Sequence, residues 1–203
     1  MSLTNNVSRL KRQDPRLGGI IEQVGPCRLA VQEYGSTFEA LARSITYQQL
    51  SGKAAATIYG RFNKRYGDGS RADAGRVARA QMRGLRSVGL SNGKARYIRG
   101  LARAQVSGDL PGIDQLNDMS DESVIQALTP LLGVGVWTVQ MLLIFWLGRR
   151  DVLAPDDLGI RKGLMITDGM DELPTTAQVV ERGEAWRPYR SLACWYLWRA
   201  CDL

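Results

Sequence analysis

Histidine is absent from all 203 residues. Without an imidazole the chain cannot build a Ser–His or Cys–His nucleophile pair, and it loses the commonest ligand of transition-metal sites. Cysteine is scarce as well. Cys27, Cys194 and Cys201 are odd in number and lack metal-type spacing, so they read as reduced, mostly buried thiols of an intracellular protein. The longest apolar stretch, Val136 to Leu147, is interrupted by Thr138 and Gln140 and falls short of the roughly 20 residues that span a bilayer. The N-terminal MSLTNNVSRLKRQDPRL is polar and does not read as a signal peptide. No run alternates apolar and polar residues as a half-buried strand would, and no fixed-period repeat or low-complexity tract is present. An all-α fold is left.

Positive charge is what the chain has in excess. Lys plus Arg total 27 against 20 Asp plus Glu, a formal net charge of +7 and a sequence pI of 9.6. Such a balance favours polyanionic partners, nucleic acid first and anionic membrane second, although an Arg-rich solvated surface would give the same sums.

Helix signals recur along the chain. The first fifteen residues are expected to form an extended or frayed arm, followed by a short helix through Ile20, Ile21 and Val24 that ends at Gly25-Pro26. Ser36 and Glu39 fit a capping box opening a helix through Leu41 and Ile45, and Ser51 caps GKAAATIYGRFNKRYG up to Gly67. Arg76, Arg79, Arg83 and Arg86 stand at helical spacing in a segment over 71–87. Next comes a helix whose apolar stripe is Ala95, Ile98, Leu101 and Ala102, with Arg96, Arg99 and Arg103 on another face. Those arginines could track phosphates, but a charged stripe is commonly a solvated face. Further helices are expected from Ser120-Asp121, from Trp137, from the aspartate pair Asp156-Asp157, from Pro174-Thr175-Thr176 and after Arg187-Pro188.

The stretch LLGVGVWTVQMLLIFWLGRRDVLAPDDLGIRKG, Leu131 to Gly163, carries the chemistry. Gly133 and Gly135 between two helices permit a tight turn and free the N–H groups of the next helix start, where the helix dipole favours an anion such as a DNA phosphate. A plain helix–helix turn would need the same glycines. Downstream, either member of the pair Asp156-Asp157 could cap a helix, and the residues alone do not decide which.

With ITYQQLSGKAA, Gly89-Leu-Ser-x-x-Lys-Ala95 and WRPYRSLACWYLW, this stretch resembles the helix-hairpin-helix superfamily of DNA glycosylases, and within it the alkylbase (3-methyladenine) II branch. The resemblance runs from about residue 36 to the C-terminus. It departs at Leu132, where proline is commoner, and in size: the larger bacterial members carry an N-terminal β-rich domain for which this chain has no room, so a compact form is expected.

The resemblance implies a two-lobed fold with the DNA cleft between the lobes. Residues 36–149 would form a helical barrel ending in the hairpin; 1–35 and 150–203 would form the second lobe. It assigns the catalytic carboxylate to Asp157, leaving Asp156 as the helix cap. It places Trp137, Met141, Tyr189 and Trp198 around the extruded base, with Met141 where a relative stacks a tyrosine, so that base preference stays open. Core packing is the other use for each of these side chains. Gly133, Val134 and Gly135 would hold phosphate, and Gln49, or else Leu50, would wedge the duplex. The carbonyls of Thr129, Leu131 and Val134 match those that hold Na+ or K+ in relatives.

A carboxylate suits the reaction, because breaking a glycosidic bond passes through an oxocarbenium-like sugar. A cationic alkylated purine leaves readily, so no general acid is required of a chain without histidine. Tryptophan at 137, where a bifunctional enzyme has its Schiff-base lysine, predicts a monofunctional enzyme without lyase activity, and three cysteines cannot hold that branch's four-cysteine iron–sulfur cluster. The expectation is a monomeric, cytoplasmic glycosylase acting on damaged double-stranded DNA. A glycosylase for deaminated or oxidised bases, and a non-catalytic hairpin module, are the alternatives.

Overall fold

Side chains that accept backbone N–H groups start most of the helices. The computed structural model describes residues 3–32 and 35–203, and among them no strand is formed, only an isolated bridge between Gly67 and Ala72. The chain divides into two compact units, 32–142 and 1–31 with 143–203. The division expected from the sequence puts the second boundary after 149; here it falls after Leu142, inside a helix.

In the unit 32–142, Ser36 caps α3 (Thr37–Tyr47) and Ser51 caps α4 (Gly52–Tyr66). Glu39 takes the N–H of Gly35 rather than that of Ser36, so the expected capping box closes one residue early. The Arg-rich segment over 71–87 is two helices instead of one, α5 (Ala74–Arg79) and α6 (Met82–Ser87). Ala80 and Gln81 are extended between them, and the arginine stripe is broken there. Ser91 caps α7 (Asn92–Ser107), which buries Ala95, Ile98, Leu101 and Ala102 as the periodicity indicates and packs on α3, α5 and α6. The short α8 (Ile113–Asn117) and α9 (Asp121–Leu128) lead to the hairpin and α10 (Val136–Phe145).

In the other unit, the segment expected to be a frayed arm is the helix α1 (Leu3–Gln13). Leu3, Val7 and Leu10 stand at helical spacing along it, and Leu10 is fully buried. Residues 1 and 2 of that arm lie outside the described residues. Asp14 caps α2 (Pro15–Val24), and Gly25 closes it at φ 82°. α11 (Leu158–Asp168) packs on α2 and on α13 (Arg190–Ala200). α12 (Thr176–Gly183) opens on a true capping box of Thr175 and Gln178. Of the three thiols Cys194 is buried, Cys27 is half-buried and Cys201 is exposed, so "mostly buried" holds for one. No helix is long and apolar enough to cross a membrane.

Candidate active site

The carboxylate constellation lies in the unit that holds both termini. The chain turns at Pro155-Asp156, with the Asp157 N–H bonded to the Ala154 carbonyl at 3.1 Å, and α11 starts one residue later than the first aspartate of the pair would start it. The helix cap is therefore Asp157, which corrects the reading that gives the cap to Asp156. Asp157 Oδ1 accepts the Ile160 N–H at 2.9 Å and the Trp198 indole N–H, also at 2.9 Å. Asp156 is exposed and accepts the Thr176 hydroxyl at 2.7 Å, which ties it to the start of α12.

Two donors on one oxygen fix the carboxylate plane, and close packing fixes the donors. The Trp198 ring stacks on Phe145 at 5.6 Å and 25°. A Cβ on Gly159 would stand 2.8 Å from the Trp198 ring and 3.0 Å from Asp157 Oδ1. One turn on, a Cβ on Gly163 would stand 2.1 Å from the Leu197 carbonyl oxygen, so α11 meets α13 backbone to backbone. Tyr189 lies at the other end of α13 from Trp198. It precedes the first turn of α13, nine residues and about 13 Å of helix from Trp198, and its hydroxyl accepts a bond from Arg9 at 3.3 Å.

The hairpin constellation lies in the unit 32–142. Thr129 caps the end of α9, and the Leu131 carbonyl accepts the Val134 N–H at 3.0 Å in a tight turn. Gly133 has φ 86°, and a Cβ there would meet the Tyr97 ring at 2.3 Å; both the conformation and the contact exclude any other residue. Around Gly135 there is open space, and α10 begins at the next residue, so N–H groups at its start are approachable by an anion. Val134 is buried, and its N–H is taken by the turn, so approachable donors start at Gly135. Trp137 is half-buried and Met141 buried; four residues apart on α10, they share a face.

The turn after α3 sits in the same unit. Gln49 and Leu50 are both exposed, and Gln49 is the one non-glycine residue at positive φ (56°) among the described residues. The Gln48 side chain donates to the Gly133 carbonyl at 3.2 Å and to the Thr138 hydroxyl at 3.0 Å. Lys94 Nζ donates to the carbonyls of Thr46 at 2.9 Å and Gln48 at 2.6 Å. Burial draws the Lys94 ammonium below its ordinary pKa. Sequence reasoning misses Gln48, Lys94 and Phe145 as working residues. Lys94 leaves one signal: it is a cation in the first turn of a helix, the end that disfavours positive charge.

The Leu131 carbonyl keeps a second lone pair after its turn hydrogen bond, so it is able to face a cation. Among the described residues no group of three or more Cys, Asp or Glu side chains is placed to hold a metal ion.

The chain is similar to known proteins along most of its length. Residues 42–188 match the family described as HhH-GPD superfamily base excision DNA repair protein. DNA-3-methyladenine glycosylase 1 of Schizosaccharomyces pombe is 34% identical over 203 residues, covering 100% of this chain and 89% of the relative. DNA-3-methyladenine glycosylase 2 of Escherichia coli is 28% identical over 194 residues, covering 90% of this chain and 64% of the relative. The solved structure of the S. pombe 3-methyladenine DNA glycosylase in complex with abasic DNA matches with a TM-score of 0.91 at 32% identity, covering 98% of this chain and 97% of that one.

Proposed function

Because the chain belongs to the HhH-GPD superfamily of base excision DNA repair proteins, we propose that it is a monofunctional DNA glycosylase that removes alkylated bases of the 3-methyladenine type. Two of its relatives are named DNA-3-methyladenine glycosylase. It acts inside the cell as a monomer on damaged duplex DNA.

The substrate base leaves as a cation made neutral. Alkylation puts a positive charge on the purine, and when the N-glycosidic bond breaks the electron pair goes to the base, which departs neutral without a proton from the protein. The sugar is left as an oxocarbenium-like cation. The Asp157 carboxylate stabilises it and orients the water that adds to C1′, whose proton passes to the carboxylate or to solvent. The products are free base and an abasic site.

The observation that carries this reading is the fixed orientation of Asp157 by the Trp198 indole and the Ile160 N–H. The half-buried Trp198 ring beside Asp157 offers an electron-rich face to a cationic base; Trp137 and Met141, on one face of α10, offer an aromatic and a polarizable surface within their own unit. Tyr189, buried at the start of α13, is the remaining aromatic assigned to the base. The N–H groups around Gly133–Gly135 grip a phosphate, with Na+ or K+ at the carbonyls of Thr129, Leu131 and Val134 adding positive charge when bound. Tryptophan at 137 offers no amine for a Schiff base, so the strand is left intact.

The test is Asp157→Asn on a duplex carrying 3-methyladenine. Base release is expected to fall by about 10²- to 10⁴-fold while duplex binding is largely kept. Unchanged release would remove the role of Asp157. No release by the wild type from any alkylated duplex would leave a DNA-binding module in place of an enzyme.

A further inference from the structure

We propose that Lys94 is a positioning residue for the duplex-wedging turn: its ammonium clamps the end of α3 so that Gln49 and Leu50 project outward in register with the phosphate-gripping hairpin. This rests on the reading of Gln49 or Leu50 as the wedge.

A helix end leaves carbonyls without intrahelical partners, and here they are answered from another element. α3 ends at Tyr47, and Lys94 Nζ reaches the Thr46 and Gln48 carbonyls, one on each side of that end. Thr46 is fully buried, so water is not the donor its carbonyl can fall back on. Seen from α7 the lysine is misplaced. It is the third residue of a helix whose start Ser91 already caps, where the dipole opposes a cation. Seen from α3 it is at the end that attracts one. The interaction with α3 accounts for a cation where α7 alone would not keep it.

The clamp acts on a backbone that needs holding. With φ at 56°, Gln49 occupies the left-handed region that a residue with a side chain rarely adopts. The Leu50 N–H returns to the Tyr47 carbonyl at 3.3 Å, so the turn is short and both side chains are thrown outward. Gln48 completes the connection, because its carbonyl is held by Lys94 while its side chain holds the Gly133 carbonyl and the Thr138 hydroxyl. Wedge turn and hairpin are thereby one piece, set by an ammonium and an amide. Phosphate contact through the hairpin would then deliver the wedge at a fixed offset from the gripped strand.

The experiment is a double-mutant cycle between Lys94→Met and the pair Gln49→Ala with Leu50→Ala, read as affinity for a duplex with an abasic-site analogue and for the same duplex undamaged. Lys94→Met is expected to weaken analogue binding about tenfold, with undamaged duplex, held through phosphates, within about twofold. Combined with the wedge pair it should add little further loss. A full additional tenfold loss in the combined variant, or no loss in Lys94→Met alone when the wedge pair does lose affinity, overturns the role of Lys94. No loss in the wedge pair itself overturns the wedge reading. Should Lys94→Met fail to fold, Lys94→Ala, which also removes the donor while suiting the helix, is read the same way at a temperature below its own melting point. Weaker analogue binding there supports the clamp, and wild-type binding overturns it.

Discussion

Asp14 and Asp157 are built to the same local plan in different surroundings. Each is the N-cap of a helix, each accepts a backbone N–H from the first turn, and each accepts a tryptophan indole N–H, Trp186 for Asp14 at 2.6 Å and Trp198 for Asp157 at 2.9 Å. The surroundings differ. Asp14 is 4% exposed and bonded to the Arg182 guanidinium at 2.6 Å, which also reaches Asp168, while the Trp186 ring beside it is fully buried. Asp157 is half-buried, and its indole belongs to a half-buried ring. Cap and indole orient a carboxylate in both cases; access decides whether the oriented group can meet a substrate. A buried, ion-paired copy of the motif is structural, and a half-open copy is available for chemistry.

Paired substitutions can break this comparison. The largest effect belongs to Asp157→Asn, whose loss of base release should come with stability within about 0.5 kcal/mol of wild type, since asparagine caps as well as aspartate. Denaturant unfolding checks the second half. Asp14→Asn should do the reverse: it leaves Arg182 facing a neutral amide in a buried site and should cost about 2–4 kcal/mol, with single-turnover base release unchanged at a temperature where the variant is folded. If both variants lost activity alike, the division of labour would be wrong.

A smaller effect is expected from Trp198→Phe, which keeps an aromatic ring against Phe145 but deletes the N–H donated to Asp157. Release should slow about tenfold. An unchanged rate would make Trp198 only a wall for the base. The smallest effect is on acid stability. Burial alone would raise the Asp14 carboxyl, but the Trp186 indole, the Leu17 N–H and Arg182 outweigh it and hold it below the usual carboxylate range. A carboxyl lowered in the folded state binds protons more readily unfolded, so its contribution is complete above the ordinary value near pH 4 and is lost as pH falls through the folded value. Melting temperatures of wild type and Asp14→Asn should therefore converge below about pH 4; a constant gap down to pH 2 would show that the ion pair does not carry the difference.

Much of this is legible in the order of the residues. Serines at 36, 51 and 120 announce helix starts because a hydroxyl ahead of an apolar-periodic run has one common use, and the stripe Ala95, Ile98, Leu101 and Ala102 names a buried face. The hairpin glycines are visible too, though the ring of Tyr97 that makes Gly133 irreplaceable lies 36 positions away and has no local mark. Partners distant in sequence account for the misses. Asp156 and Asp157 are equally good caps on paper, and the turn at Pro155 together with the indole 41 residues downstream separates them. The break at Ala80-Gln81 contains no proline or glycine to signal it. Lys94 leaves only its place in the first turn of α7 as a mark, because nothing near it in the chain tells that α3 ends against it.

The backbone contact between Gly163 and Leu197 has a consequence for reading sequence variation in this protein. Position 163 carries no chemical group, lies six residues from the carboxylate and would pass as a neutral helix position, where alanine is normally the better helix former. Here a single methyl group has to displace α13, and the indole that aims Asp157 is the next residue along that helix. A screen that scored variants by residue chemistry alone would file Gly163→Ala as benign, although it would shift the helix turn that carries Trp198.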